Sequence, residues 1–234
     1  MAVFDKYADN YDEGHKKAVS LSGYEPSYFD EYKVKILADI LTSMDNGKAL
    51  KIMNYGCGTG KTEGYMQKYM PGVNVYGIDV SEESVRVARA NNAAHTNISF
   101  NFFDGKNIPG KEMFDVVFCA NVFHHIPRKS HKDSMHGIYS RLKPGGLFVI
   151  FELNPLNPLT QLVAIQNDYK FDPDANLLSP YYLGSLLRNE GFKVSSLNFT
   201  IFMPSFLSKL AWLENYLAWL PLGAHYYYSV RKLT

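Results

Sequence analysis

The chain is poor in cysteine: 234 residues hold two, Cys57 and Cys119, far apart in sequence. That pair supports neither a disulfide framework nor a metal site. An excess of one charge is also missing. Lys+Arg total 24 against 23 Asp+Glu, a net charge of +1. Such a balance supplies no field to gather nucleic acid. No apolar run approaches the ~18 residues that a membrane-crossing helix needs. The opening "MAVFDKYADNYDEGHKK" is polar and acidic, without the apolar centre of a signal peptide. These absences predict a reducing, cytoplasmic location with no nucleic-acid partner and no transmembrane segment. Internal repeats and low-complexity tracts are absent as well.

What is present is a core-forming composition, 46% hydrophobic and 20% charged, in a length suited to one α/β domain with additions. Phe4–Leu21 and then "YFDEYKVKILADILTSM" read as helices, the second ended by Gly47. The rhythm then changes. "ALKIMNY", "VNVYGIDV", "ISFNFF", "FDVVFCA" and "LFVIFEL" read as strands. "KTEGYMQKYM", "SEESVRVARANNA" (with Ser81 as N-cap) and "HKDSMHGIYSRL" read as helices, and Lys143–Gly146 as a turn. Strands alternating with helices predict an α/β fold with a mainly parallel sheet. Asn154–Leu178 is too long for an ordinary connection, which points to function. "FKVSSLNF" and "HYYYSVR" are two further strands, separated by the apolar, aromatic stretch Met203–Leu222.

The segment "NYGCGTGKTEGY" invites two familiar interpretations, and both fail on spacing. A P-loop needs glycine where Tyr55 stands. A dinucleotide turn needs one at Lys61 or at Glu63. What remains is Gly56, Gly58 and Gly60, between the first strand and the following helix. There a backbone without side chains can approach a ligand closely. A helix N-terminus also suits a carboxylate. Asp79 follows at the end of the next strand, able to accept from both hydroxyls of a ribose. Asp104–Gly105 ends the third and offers an acceptor to an amino group.

Taken in order, "NYGCGTG", "YGIDVS", "FFDG", "FDVVFCANVFHHIP" and "LKPGGLFVIFE" resemble the class I S-adenosylmethionine (SAM)-dependent methyltransferases, over roughly Leu50–Leu153. The resemblance implies a Rossmann-like, doubly wound sheet of seven strands, mainly parallel with one antiparallel. It implies a single domain over residues 1–234. Residues 1–46 would form a helical lid, 47–153 the SAM-binding core, and 154–234 the substrate-side insertions and last strands. It implies SAM as cofactor and methyl transfer to a small molecule, with a hydroxyl oxygen as acceptor. N- or C-methylation, or SAM binding without turnover, are its rivals. By the same resemblance Gly56, Cys57, Gly58 and Gly60 line the methionine part and Asp79 with Val80 the ribose. Asp104 and Gly105 meet the adenine, and Asn121 lies beside the cofactor. Asn54 stands where the family usually has Asp or Glu, keeping an acceptor oxygen but losing the charge. The termini resemble small-molecule methyltransferases of a bacterial subgroup associated with glycan and secondary-metabolite clusters. That likeness implies a lid in which Tyr11, near Tyr7, covers the cofactor and Lys33 meets its carboxylate. A solvated helix pair is the alternative.

Catalysis by proximity and orientation can supply ~7–11 kcal/mol, whereas a general base contributes ~10²–10⁴-fold. A strong catalytic signature is therefore not required. The candidate bases are His124 and His125, after the fourth strand, and Glu152, ending the fifth. A histidine packing the loop, and a Glu152 bonded beneath the Asn154–Pro155 turn, are the alternatives. No metal site is expected, and His131 and His136 read as surface histidines. Asn121–His124 lacks the proline pair of nucleobase amino-methyltransferases. Cys119 lies inside a strand, unlike a cytosine-methylating nucleophile. Phe206, Leu210, Leu213, Leu217 and Leu220 recur at helical spacing, and Leu207, Trp212 and Trp219 widen the stripe. The expectation is a core helix at the sheet edge or a homodimer contact; the alternatives are a pocket wall or a lipid anchor.

Overall fold

The computed structural model describes residues 22–42, 49–166 and 176–233. The helix expected over Phe4–Leu21, with Tyr7 and Tyr11, lies outside the described residues, and so does Gly47. Helix α1 (Pro26–Thr42) leads into β1 (Lys51–Tyr55), α2 (Lys61–Tyr69), β2 (Asn74–Asp79), α3 (Glu82–Asn91) and β3 (Ile98–Phe102). β4 (Phe114–Ala120), α4 (His131–Arg141), β5 (Leu142–Leu153) and α5 (Pro158–Gln166) follow. α6 (Pro180–Asn189), β6 (Phe192–Thr200), the single turn α7 (Glu214–Leu217) and β7 (His225–Lys232) complete the order.

The seven strands form one sheet in the order β3-β2-β1-β4-β5-β7-β6. β1 to β5 run parallel, and β7 is antiparallel to both β5 and β6. Alternation along the central strands sends successive residues to opposite faces. Met53, Val117, Cys119, Phe148 and Ile150 face α4 and α6, where Met135, Ile138, Leu183 and Leu187 close the layer. Ile52, Val116, Phe118, Val149 and Phe151 face α1 and α2, meeting Val34, Leu37, Leu41 and Met66. Covered on both sides, β4 and β5 read as continuous apolar runs rather than alternating ones. Each such fully buried side chain contributes roughly 1.5–3 kcal/mol. Ser81 caps α3 as expected, accepting from Ser84 N at 3.1 Å.

Two expectations need correcting. Lys143–Gly146 is not a turn ahead of the fifth strand but a bulge within it. Leu142 pairs with Phe114 and Leu147 with Val116, so the four intervening residues loop out opposite Asp115. Lys143 Nζ fastens the bulge to Asp115 Oδ1 at 2.7 Å. Nor is Met203–Leu222 a core helix. Ser205–Leu213 is a 3-10 segment passing into α7, and it leaves Phe206, Trp212 and Trp219 largely exposed. Its anchor is polar. Glu214, buried, accepts from the backbone N–H groups of Ile201, Phe202 and Met203 at 3.0–3.2 Å and from the Tyr32 hydroxyl of α1 at 2.7 Å. Ile201 reaches this geometry with φ of 63°, in the left-handed region a β-branched residue avoids.

Candidate functional site

A cavity of about 370 Å³ opens at the carboxyl ends of β1, β2 and β4. In doubly wound sheets ligands bind at that end, where the strand order reverses, here between β1 and β4. The glycine turn forms its floor. Gly56 N and Cys57 N both donate to Ile78 O, at 2.8 and 3.0 Å, stitching the turn to β2. Gly56 has φ of +78°, and a Cβ there would lie 2.4 Å from Val122. Gly60, at φ +73°, would collide with Asn92 and Ala88 of the α3 end. Gly58 differs: at φ +52° its missing Cβ faces open space. Two glycines thus permit close packing within the protein, and the third leaves the cavity floor bare.

Asp79 ends β2 with its carboxylate held from two sides. Oδ2 accepts from Gly58 N at 2.8 Å and Oδ1 from Ser81 N at 3.0 Å. Gly60 N donates to Cys57 O at 3.1 Å. Two of the turn's N–H groups expected to meet a ligand carboxylate are therefore engaged internally. A buried cation also borders the cavity. Lys33 of α1 reaches the cavity wall at only 3% exposure, on the packed side of a helix whose other side is solvated. Burial pushes its ammonium below the usual lysine range, and Asp30 and Glu152 oppose that shift.

Val80, Phe103 and Gly105 line the cavity, but Asp104 does not. Its exposed carboxylate turns to its own loop, accepting from Lys106 N at 2.8 Å and from Asn107 N at 2.7 Å and Nδ2 at 3.1 Å. These bonds hold it below the usual carboxylate range. Asp104 shapes the loop that presents Gly105. Asn121 follows β4 with φ of 58°, and its Oδ1, buried on the cavity wall, has no hydrogen-bond partner among the described residues. A strained backbone and an orphaned acceptor at one residue suit a site that receives a donor.

The two histidines divide. His125 lines the cavity; His124 is buried behind it, the ring centroids 4.0 Å apart. His124 Nδ1 lies 2.6 Å from Glu152 Oε2, and Glu152 Oε1 accepts from Phe123 N at 2.8 Å. Glu152, fully buried on β5, thus clamps the turn Phe123–His125 rather than the Asn154–Pro155 turn. His131 is a correction as well. It is buried, not superficial, with Nε2 within 3.0 Å of Phe123 O and 2.8 Å of Ile126 O. His136 is exposed beside Glu190. Among the described residues no cluster of His, Cys, Asp and Glu could hold a metal. None of residues 203–222 lines this cavity.

Sequence reasoning missed Glu63. It lies fully buried under the glycine turn, its Oε1 accepting from Asn54 Nδ2 at 2.7 Å and its Oε2 from the Thr62 hydroxyl at 3.1 Å. Burial pushes its carboxyl up to about 7. The signal was there: an acid in the first turn of α2 in a chain lacking one at position 54.

The donor set fits an adenosyl amino acid. A held carboxylate, a buried ammonium, an orphaned amide oxygen, a bare glycine and the apolar Val80 and Phe103 surround one space. Comparison with known proteins agrees. Residues 52–146 match the family described as "Methyltransferase domain". A ubiquinone biosynthesis O-methyltransferase of an Azoarcus species is 26% identical over 165 residues, which cover 66% of this chain and 69% of that one. The matches span from 25% to 69% of the length of such curated relatives. The magnesium protoporphyrin IX methyltransferase of Synechocystis, solved with bound S-adenosylhomocysteine (SAH), superposes with a TM-score of 0.64. It is 18% identical, over 93% of this chain and 86% of that one. A SAM-dependent methyltransferase of Thermotoga maritima gives 0.68 at 17% identity, over 98% of both chains. At these identities the superpositions speak for the fold. Fold, motif order and matched domain converge: residues 52–146 match a methyltransferase domain, set in a fold that this chain shares with solved SAM-dependent methyltransferases.

Proposed function

We propose that the protein methylates a hydroxyl oxygen of a small molecule, with His125 as the base that takes the acceptor's proton. The observation that carries this reading is the placement of His125 on the cavity wall, with the His124–Glu152 pair directly behind it. Imidazole titrates near neutral pH and can take a proton there. Glu152, bonded to the backbone of the same turn and to His124, holds His124 against the tilted ring of His125. His124 and Glu152 are then positioning residues. The Azoarcus relative, an O-methyltransferase by name, favours an oxygen acceptor.

Bound SAM supplies an electrophilic methyl group that needs neither a metal nor a covalent intermediate. The remaining work falls to the chain. Asp79 accepts from the ribose hydroxyls, and Val80, Phe103 and Gly105 border the adenine. Gly56, Cys57, Gly58 and Gly60 line the methionine portion, Lys33 meets its carboxylate, and Asn54 and Asn121 offer amide oxygens to its donors. Calorimetry with SAH tests the cofactor site: binding is expected, and loss of at least tenfold on Asp79→Ala. Unchanged affinity in that variant would remove Asp79 from the site. For the base, a screen of metabolite extracts with methyl-labelled SAM identifies the acceptor. His125→Ala should then lower kcat by about 10²-fold or more while leaving SAH affinity intact. Full activity of that variant on the identified acceptor would refute the base, and failure to label any acceptor would favour binding without turnover.

A further inference from the structure

We propose that Glu63 supplies the negative charge that draws the ammonium group of the cofactor's methionine portion, acting through Asn54 and Thr62. The inference rests on the methionine portion lying over the glycine turn. Class I chains usually carry Asp or Glu at the position of Asn54, and this chain has a neutral amide. The geometry moves the charge one step back. Asn54 Nδ2 donates to Thr62 Oγ1 at 3.0 Å and to Glu63 Oε1 at 2.7 Å, which uses both of its N–H bonds. Oδ1 is then the group that Asn54 can turn to the cavity it lines. Thr62, also on the cavity wall, donates its hydroxyl to Glu63 Oε2 at 3.1 Å. One carboxylate therefore orients two polar groups at the cavity edge and polarises both.

The second observation is the electrostatic isolation of Glu63. Among the described residues, the side chains that act on its ionisation are Asn54, Thr62 and Asp30, none of them a cation. An acid buried beside a cavity without a counter-charge lacks the partner that normally accompanies a buried carboxylate. A cation entering over the glycine turn completes the arrangement. Cys57, whose thiol burial raises and which Glu63 raises further, has no such use for the charge.

The test is calorimetry on the full chain at pH 8, above the value of about 7 to which the Glu63 carboxyl is raised, with two probes, SAH and its deamino analogue, which keeps the carboxylate and adenosine but lacks the ammonium. Glu63→Gln keeps the shape of the side chain. It should weaken SAH binding by about tenfold, the size of one charge-assisted interaction. Affinity for the deamino analogue should stay within about twofold. Comparing two probes on one variant cancels any change in the folded fraction. Adding Asn54→Asp to Glu63→Gln returns a carboxylate to the cavity edge and should restore SAH affinity. Equal loss on both probes would mark Glu63 as merely structural and overturn the proposal, as would undiminished SAH binding or a failed rescue. Wild-type protein that binds neither probe would overturn the cofactor placement itself, and this inference with it.

Discussion

Gly58 and Gly60 sit two residues apart in similar backbone conformations, yet they answer to different neighbours. A methyl at Gly60 meets the Ala88 backbone at 3.0 Å, so Gly60→Ala should cost roughly 2–4 kcal/mol of stability from strain and overpacking. A methyl at Gly58 meets nothing. Gly58→Ala should cost only about 1–2 kcal/mol in denaturant unfolding and still lose SAH binding, because the new methyl occupies the cavity floor. Equal destabilisation by the two would contradict this division. Glu63 gives a pH-dependent counterpart. Its carboxyl is raised from 4.5 to about 7, so between those values the folded state binds a proton that the unfolded state has released. Stability from this group is complete below pH 4.5 and lost as pH rises through 7. Asp30, facing it from α1, pushes in the same direction. From pH 4 to pH 8 the wild type should lose roughly 3 kcal/mol more than Glu63→Gln, measured by urea unfolding. Parallel curves would refute the raised value. The loop's glycines could be recognised from spacing alone. Their separate duties could not, since those depend on Ala88, Asn92 and Val122, brought up by other elements.

Among the elements, the stretch between β6 and β7 departs furthest from its periodicity. Helical spacing identifies residues that share a face, but it does not say whether that face is buried. Here the aromatic stripe faces solvent, and the buried contact is made by one of the segment's two charged residues, Glu214. A side chain that accepts from three backbone N–H groups is hard to replace. Glu214→Ala would leave them unpaired inside the protein and should cost about 2–4 kcal/mol. It should also speed proteolytic cleavage within 203–222 ahead of the sheet. Cleavage at the wild-type rate would show that apolar packing, not Glu214, holds the segment. α1 gains from the same latch through Tyr32, whose hydroxyl burial and Glu214 push well above its usual range. That links the insertion to the helix that delivers Lys33.

For the whole molecule, the cofactor site is assembled from β1, β2, β4 and α1 across both halves of the sheet. Ligand binding should therefore stabilise the domain as a unit. At a hundred times its dissociation constant, SAH should add about 2.7 kcal/mol and raise the thermal midpoint by a few degrees, and Asp79→Ala should abolish the shift. A shift retained in that variant would place the ligand elsewhere. The sequence by itself determined the order of strands and helices, the glycine turn, the strand-end Asp79 and hence the cofactor class. Those features are written in short segments, as periodicity, turn glycines and a carboxylate closing a strand. Tertiary structure alone decided which side chains the cavity meets. It brought in Lys33 from a helix well upstream, turned Asp104 to its own loop, set His125 in front of His124, and placed Glu63 beneath Asn54. Burial and electrostatic partnership arise between segments distant in sequence, and no local pattern records them.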